Sequence, residues 1–318
     1  PVHQEPVDEL RGPVLGIRRA PAVARQQNLA SARHGDGHAP GGLGHLAPVD
    51  GKKIALFCNI APEDVITALD ADSIYKIPLM YHEQGLDIRI LKHFNMLDGA
   101  PEPDMSKWKN IVDVIGNWKD EVKIAVVGKY CGLPDAYKSL NEALFHAGIA
   151  HKTKVNVRWI ESETLENLSE EEINNTFAGI KGILVPGGFG TRGIEGKMIA
   201  ERYAREHKIP FFGICLGMQT AVIEAARHLL GITDANSTEF TKECTPVVAL
   251  MTEWEQDGKK QTRTEDTDVG GTMRLGSYPC ELKDGTLASR LYGGEKVIRE
   301  RHRHRYEVSM KIAEQLES

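Results

Sequence analysis

The residue best placed to do chemistry is Cys215, at the centre of Gly213-Ile214-Cys215-Leu216-Gly217. The apolar pair Phe211-Phe212 precedes it, and Val222, Ile223, Ala226 and Leu229 follow at helical spacing. A nucleophile flanked by glycines between a strand and a helix has the layout of a nucleophile elbow, with cysteine in place of serine. The glycines suit a sharp, crowded turn, and the start of a helix favours a thiolate over a thiol. The plainer reading of this pentapeptide is a buried structural cysteine. A second signal is Pro186-Gly187-Gly188-Phe189-Gly190, after the apolar run Gly182-Ile183-Leu184-Val185. Glycines at a strand end leave backbone N–H groups free to stabilise an oxyanion. They suit a phosphate-binding or merely tight turn equally well.

These two turns need strands to hold them. Val122 to Val127 is an apolar run ending in Gly128, and Val155 to Ile160 alternates as a strand does. Asp135 can cap a helix running through Leu140, Leu144 and Phe145 to Gly148. Met198, Ile199, Tyr203 and Ala204 mark a helix between the two glycine-rich turns. Strands alternating with helices predict an α/β fold, a parallel sheet with helices on both faces. Ligands of such folds bind at the carboxyl ends of the strands.

Upstream, Ile54-Ala55-Leu56-Phe57-Cys58 reads as a short buried strand. Residues 61–79 are mixed, with Asp70 and Asp72 near a turn. The 101–104 stretch, with two prolines, reads as a connection, and Trp108, Ile111, Val112, Ile115 and Trp118 share a helix face. Residues 1–51 are rich in Ala, Arg, Gly, His and Pro and show neither period, which predicts a disordered extension or a segment foreign to the fold. Residues 253–268 are polar and charged, an exposed loop or hairpin.

Composition narrows the classes. The 318 residues allow about two domains, and a net charge of -6 gives no basic footprint for nucleic acid. No apolar run reaches the roughly 20 residues of a membrane helix, so neither nucleic acid nor membrane is expected as a partner. The 5 cysteines form no C-x-x-C pair, which argues against a zinc site or disulfide framework and for a reducing, cytoplasmic setting.

The two glycine-rich segments, extended to Met218-Gln219, resemble the class I glutamine amidotransferase family. Further segments narrow the resemblance to the CTP synthase family. They are Ala235-Asn236-Ser237-Thr238-Glu239-Phe240, Gly270-Gly271-Thr272-Met273-Arg274-Leu275-Gly276 and Arg301-His302-Arg303-His304-Arg305-Tyr306-Glu307-Val308. Lys53-Ile54-Ala55-Leu56-Phe57-Cys58-Asn59 and Asp72-Ser73-Ile74-Tyr75-Lys76-Ile77-Pro78 resemble the end of that family's synthetase domain.

The resemblance implies a synthetase remnant over 52–120 and an amidotransferase domain over 121–318. It makes Cys215 the nucleophile that forms a thioester with glutamine. Gly188 and Leu216 would supply the oxyanion N–H groups, while Leu216, Gly217, Met218, Gln219, Glu239 and Arg305 would hold the glutamine. Lys53 would contact UTP or the inhibitor CTP, Ala71 would lie beside ATP, and Arg263 would bear on activation by GTP. ATP and Mg²⁺ would serve the full enzyme, a homotetramer that aminates UTP to CTP, with no metal ligand expected in these residues.

Two family features are missing from the sequence, which predicts a chain incomplete at both ends. One is the phosphate-gripping loop, since no G-x-x-x-x-G-K-[ST] occurs. The other is the F-H-P-E motif that supplies the catalytic His and Glu. His304 and Glu307 are no substitutes: their H-x-x-E spacing is wrong, and the arginines beside His304 disfavour its charged form. A non-catalytic glutamine-binding or assembly subunit is the alternative function, and an unrelated cysteine hydrolase is a third.

Overall fold

A computed structural model describes residues 22–25, 48–250, 253–256, 259–262 and 274–317. The chain divides after Asn117 into two units.

The first unit runs β1 (Ala22–Arg25), α1 (Pro48–Cys58), β2 (Val65–Ala68), α2 (Ile77–Glu83), α3 (Leu86–His93) and α4 (Ser106–Gly116). One expectation is corrected here. The 54–58 run belongs to helix α1, not to a strand. Wrapped around a helix, only Ala55 is buried, while Leu56 and Phe57 are 78% and 85% exposed. A five-residue apolar run carries no period to separate the two states. Within 1–51, Ala22–Arg25 is a strand paired in parallel with β2. Such a ladder uses backbone groups, which composition does not report. The Gln84 side chain completes β2: Thr67 N–H donates to its Oε1 (2.8 Å), and its Nε2 donates to Thr67 O (3.0 Å). Gly85, at φ 75°, separates α2 from α3. Helix α4 forms where the 3.6-residue pattern predicts it, with Val114 as its buried member.

The second unit opens with β3 (Asp120–Gly128), α5 (Lys138–His151), β4 (Thr153–Glu161), the single turn α6 (Ser162–Leu165) and α7 (Glu170–Phe177). It continues through β5 (Gly182–Val185), α8 (Ile194–Glu206), β6 (Phe211–Gly213) and α9 (Leu216–His228). The strands lie in the order β4-β3-β5-β6, and every pairing is parallel. Alternate residues of β3 and β5 (Ala125, Val127, Ile183, Val185) pack with Ile173 and Phe177 of α7 and Ala200 and Ala204 of α8. On the opposite face, Ile124 and Leu184 meet Leu144 of α5 around an open 240 Å³ groove. This is the α/β arrangement expected from the alternation of strands and helices.

Local signals explain some helix starts and not others. Ser169 and Glu172 form a reciprocal capping box at α7. Asp135 caps nothing. Pro134, with its fixed φ, starts a 3₁₀ turn over Pro134–Tyr137, and α5 begins only at Lys138, with no side-chain cap.

The remaining elements are β7 (Ala235–Ser237), β8 (Thr245–Leu250), β9 (Glu253–Gln256), β10 (Lys259–Thr262), β11 (Arg274–Glu281), α10 (Leu287–Leu291), β12 (Val297–His304), β13 (Tyr306–Val308) and α11 (Met310–Glu317). Strands β9 and β10 pair antiparallel as a hairpin, and β11 pairs antiparallel with β12. Strand β8 sits between β13 and β7. Val247, Val248 and Ile312 form a second core with Leu216, Ile223 and Ala226 of α9. Helix α9 packs into this second core, and its first residue follows Cys215.

Candidate active site

Strand β6 delivers the chain to Cys215, which takes φ 52° and ψ -106° at the N-cap of α9. A non-glycine residue here carries about 1–3 kcal/mol of backbone strain, which the surrounding structure must hold. The glycines show how. A Cβ on Gly213 would lie 2.6 Å from the backbone of Gly217 and Met218, and one on Gly217 would lie 2.1 Å from the Val185 carbonyl oxygen. Ile214 N–H donates to the same carbonyl (2.9 Å), so the end of β5 fixes both sides of the elbow.

The 186–190 turn lies beside it. A Cβ on Gly187 would be 3.4 Å from Cys215 Cβ, and one on Gly188 would be 3.4 Å from Leu216 Cδ2 and 3.7 Å from Lys197 Nζ. Charged groups grip this turn. Lys129 Nζ donates to the Phe189 carbonyl (2.8 Å), and Gly190 N–H donates to Glu239 Oε1 (2.9 Å). Both ends of the Phe189–Gly190 peptide are therefore held, one by a cation and one by an anion, in charge-assisted bonds.

The thiol departs from expectation. Burial pushes the Cys215 pKa up, and the nearby Glu239 carboxylate adds to this. The Leu216 N–H and the Arg303 charge oppose it without prevailing. The helix start therefore does not make a thiolate by itself, because desolvation of the sulfur outweighs it. The Arg303 carbonyl oxygen lies 3.6 Å from Sγ, a weak S–H···O contact.

The residues expected around a bound glutamine converge from three segments. Leu216 and Gly217 are buried behind Cys215, Met218 is exposed, and the buried Gln219 donates from Nε2 to the Tyr306 carbonyl (2.8 Å). That bond ties α9 to the bend at Arg305, between β12 and β13. Arg305 Nε is buried and makes no hydrogen bond to the described residues. Glu239 reaches the site from β7 through its bond to Gly190. His304 has both ring nitrogens engaged elsewhere: Nε2 with His302 Nδ1 (2.8 Å) and Nδ1 with the Tyr306 carbonyl (3.2 Å). A carbonyl can only accept, so His304 donates from Nδ1 and, when neutral, accepts at Nε2. Lys53 (exposed on α1) and Ala71 (half-buried after β2) belong to the first unit. Arg263 lies outside the described residues.

The structure adds a buried ionic group. Lys197, 1% exposed, and Glu201 lie one turn apart on α8. Thr220 Oγ1 on α9 is 2.6 Å from Glu201 Oε1 and also reaches the Leu216 carbonyl (3.1 Å). Burial lowers the Lys197 pKa to about 8, helped by the Lys129 charge, and burial raises that of Glu201 well above the carboxylate range. The available sequence signal was Lys197 and Glu201 falling on the stripe of Ile194, Met198 and Ala204, where apolar residues belong. Among the described residues, no group of three His, Cys, Asp or Glu side chains could hold a metal ion, and no helix is long and apolar enough to cross a membrane.

The family model described as glutamine amidotransferase class-I matches residues 132–317, which include the whole elbow and its glycine turn. The chain belongs to the class-I glutamine amidotransferase family. The CTP synthase N-terminus model matches residues 45–96 of the same chain. Relatives of this amidotransferase include the CTP synthase of Granulibacter bethesdensis, 54% identical over 84% of this chain and 48% of its own length. That of Methylorubrum populi is 54% identical over 85% and 49%. The chain thus spans about half the length of the curated relatives it matches. A solved structure, described as the glutaminase domain of Trypanosoma brucei CTPS with bound acivicin, is 39% identical. It aligns with a TM-score of 0.54 over 62% of this chain and 71% of that one.

Proposed function

We propose that this chain is the glutamine-hydrolysing part of a CTP synthase, with Cys215 as the nucleophile. The observation that carries this reading is the strained Cys215 elbow lying so near the 186–190 turn that a Cβ added at Gly187 would stand 3.4 Å from Cys215 Cβ. The sulfur attacks the side-chain amide carbon of glutamine, a C–S bond forms, and the carbonyl electron pair moves onto oxygen. The N–H groups of Gly188 and Leu216 accept that charge. Collapse expels the amide nitrogen, which takes up a proton and leaves as ammonia. Water then cleaves the thioester to glutamate and restores the thiol. Glu239 suits the substrate ammonium, and the unbonded Nε of buried Arg305 suits its carboxylate. Because burial raises the Cys215 pKa, the thiol needs a base. His304 does not serve, since both its nitrogens are engaged. We assign the base to a His–carboxylate pair in the rest of the full-length protein.

In that full-length protein the ammonia aminates UTP to CTP at the expense of ATP with Mg²⁺, which activates the uracil oxygen by phosphorylation. We assign residues 52–120 to the end of its synthetase domain, a reading supported by the 45–96 match. Lys53 is assigned to UTP or inhibitory CTP, Ala71 to ATP, and Arg263 to GTP activation. A homotetramer in the cytoplasm completes the reading, in keeping with five free cysteines.

The test is ammonia release from glutamine by the full-length protein, with and without UTP, ATP and GTP. Cys215→Ala is expected to abolish it while leaving CTP formation from added ammonia. Glutamine hydrolysis that survives in Cys215→Ala would overturn the assignment. Glutamine binding without turnover in the unsubstituted protein would favour a non-catalytic subunit.

A further inference from the structure

We propose that Lys197 is an electrostatic positioning residue for the oxyanion, its buried ammonium seated close to Gly188. The inference rests on the glutamine-hydrolysis reading above and concerns a residue which that reading leaves unused.

Three observations carry it. Lys197 is 1% exposed, yet its Nζ comes within 3.7 Å of where a Gly188 Cβ would stand. A buried cation normally sits against a fully ionised partner. Its nearest candidate, Glu201, is held toward the neutral acid by burial, and its Oε2 makes no hydrogen bond to the described residues. The second cation, Lys129, spends its ammonium on the Phe189 carbonyl. Two ammonium groups, Lys129 and Lys197, therefore share the Glu239 carboxylate beside the glycine turn, while Glu201 is held toward the neutral acid. The Lys197 charge lowers the energy of an anion forming at the Gly188 N–H. It acts through low-dielectric material, where such fields are strongest.

The groups facing this lysine come from every neighbouring element. Lys129 and Cys131 follow β3, Glu201 lies on α8 itself, and Glu239 follows β7. Helix α9 presents Thr220 and Glu224 to Glu201. The α6 turn and its flank bond the start of α8, Glu166 through the Gly196 N–H and Glu163 through Arg192. Arg303 and Glu239 act on the thiol, whereas Lys197 is not among the groups that shift it. The oxyanion should therefore feel this charge more strongly than the resting sulfur does, and this separates the proposal from a general effect on Cys215.

The experiment uses the full chain and two alkylating probes. A chloroketone analogue of glutamine adds through its carbonyl and needs the oxyanion site, whereas iodoacetamide needs only the thiolate. Lys197→Met keeps the stem and removes the charge. The expected result is a maximal chloroketone inactivation rate about 10-fold lower, with its half-saturating concentration and the iodoacetamide rate within about twofold of the unsubstituted protein. In the unsubstituted protein the ratio of chloroketone to iodoacetamide rates falls as pH rises through about 8, as Lys197 loses its charge, and the variant shows no such step. Equal chloroketone rates with and without the lysine, or a ratio that stays flat with pH, would overturn the proposal. The pH arm needs no variant, so it decides even if Lys197→Met misfolds. If the unsubstituted protein fails to label Cys215 with the chloroketone while iodoacetamide succeeds, the glutamine reading has failed, and this inference falls with it.

Discussion

The two glycine-rich turns at the sheet's carboxyl ends are held by opposite means. The elbow at Cys215 is held by contact: its glycines lie against the carbonyl of Val185 and against each other's backbone. The 186–190 turn is held by charge, through Lys129 and Glu239, and a Cβ on Gly187 or Gly188 would meet only ordinary van der Waals distances. One turn should therefore tolerate no added atom and ignore pH, while the other tolerates atoms and responds to pH.

The largest expected effect is on the contact-held side. Gly217→Ala drives a methyl group into the Val185 carbonyl and should cost about 3 kcal/mol or more in thermal melting, enough to unfold a marginal domain. Lys197→Met should act in the opposite direction, stabilising by about 2 kcal/mol near neutral pH. Folding there must desolvate the ammonium of a lysine whose pKa falls from 10.5 to about 8. The folded state then holds fewer protons than the unfolded state between those values, so stability of the unsubstituted protein rises with pH across that window. Denaturant melts at pH 7 and pH 10 should show the rise, and the variant should lack that contribution.

Cutting the charge-assisted bond to Phe189 with Lys129→Met should cost about 1.5 kcal/mol and raise the KM for glutamine several-fold with a smaller effect on kcat. A change in kcat alone would mean the clamp serves something other than the shape of the pocket. Cys215→Gly relieves a left-handed side chain and should gain about 1 kcal/mol. Gly187→Ala should change stability least, by under about 1 kcal/mol. A large loss there would erase the contrast between the turns.

The sequence reveals the contact-held turn better than the charge-held one, for a physical reason. Glycines flanking a nucleophile after an apolar run describe local backbone geometry, and β3, β4, β5, β6 and α9 all lie where runs and periods place them. Glu239 and Arg305 have no local signal and entered through resemblance alone. Lys197 and Glu201 could be noticed only as polar residues on an apolar stripe, since their significance depends on what packs against α8. The 54–58 run misled because five apolar residues fit a helix as well as a strand, and the choice lies in partners distant in sequence. The raised thiol pKa was missed because a helix start is visible in sequence and desolvation is not.

Gly217 packs main chain against main chain, with no side chain between α9 and β5. The seat of the elbow on β5 is therefore gauged by peptide geometry rather than by a side chain. Residues in both cores can drift over evolutionary time, and each can be repacked, without detuning that seat. The surroundings remain free to change around an elbow whose seat on β5 is set by backbone contact.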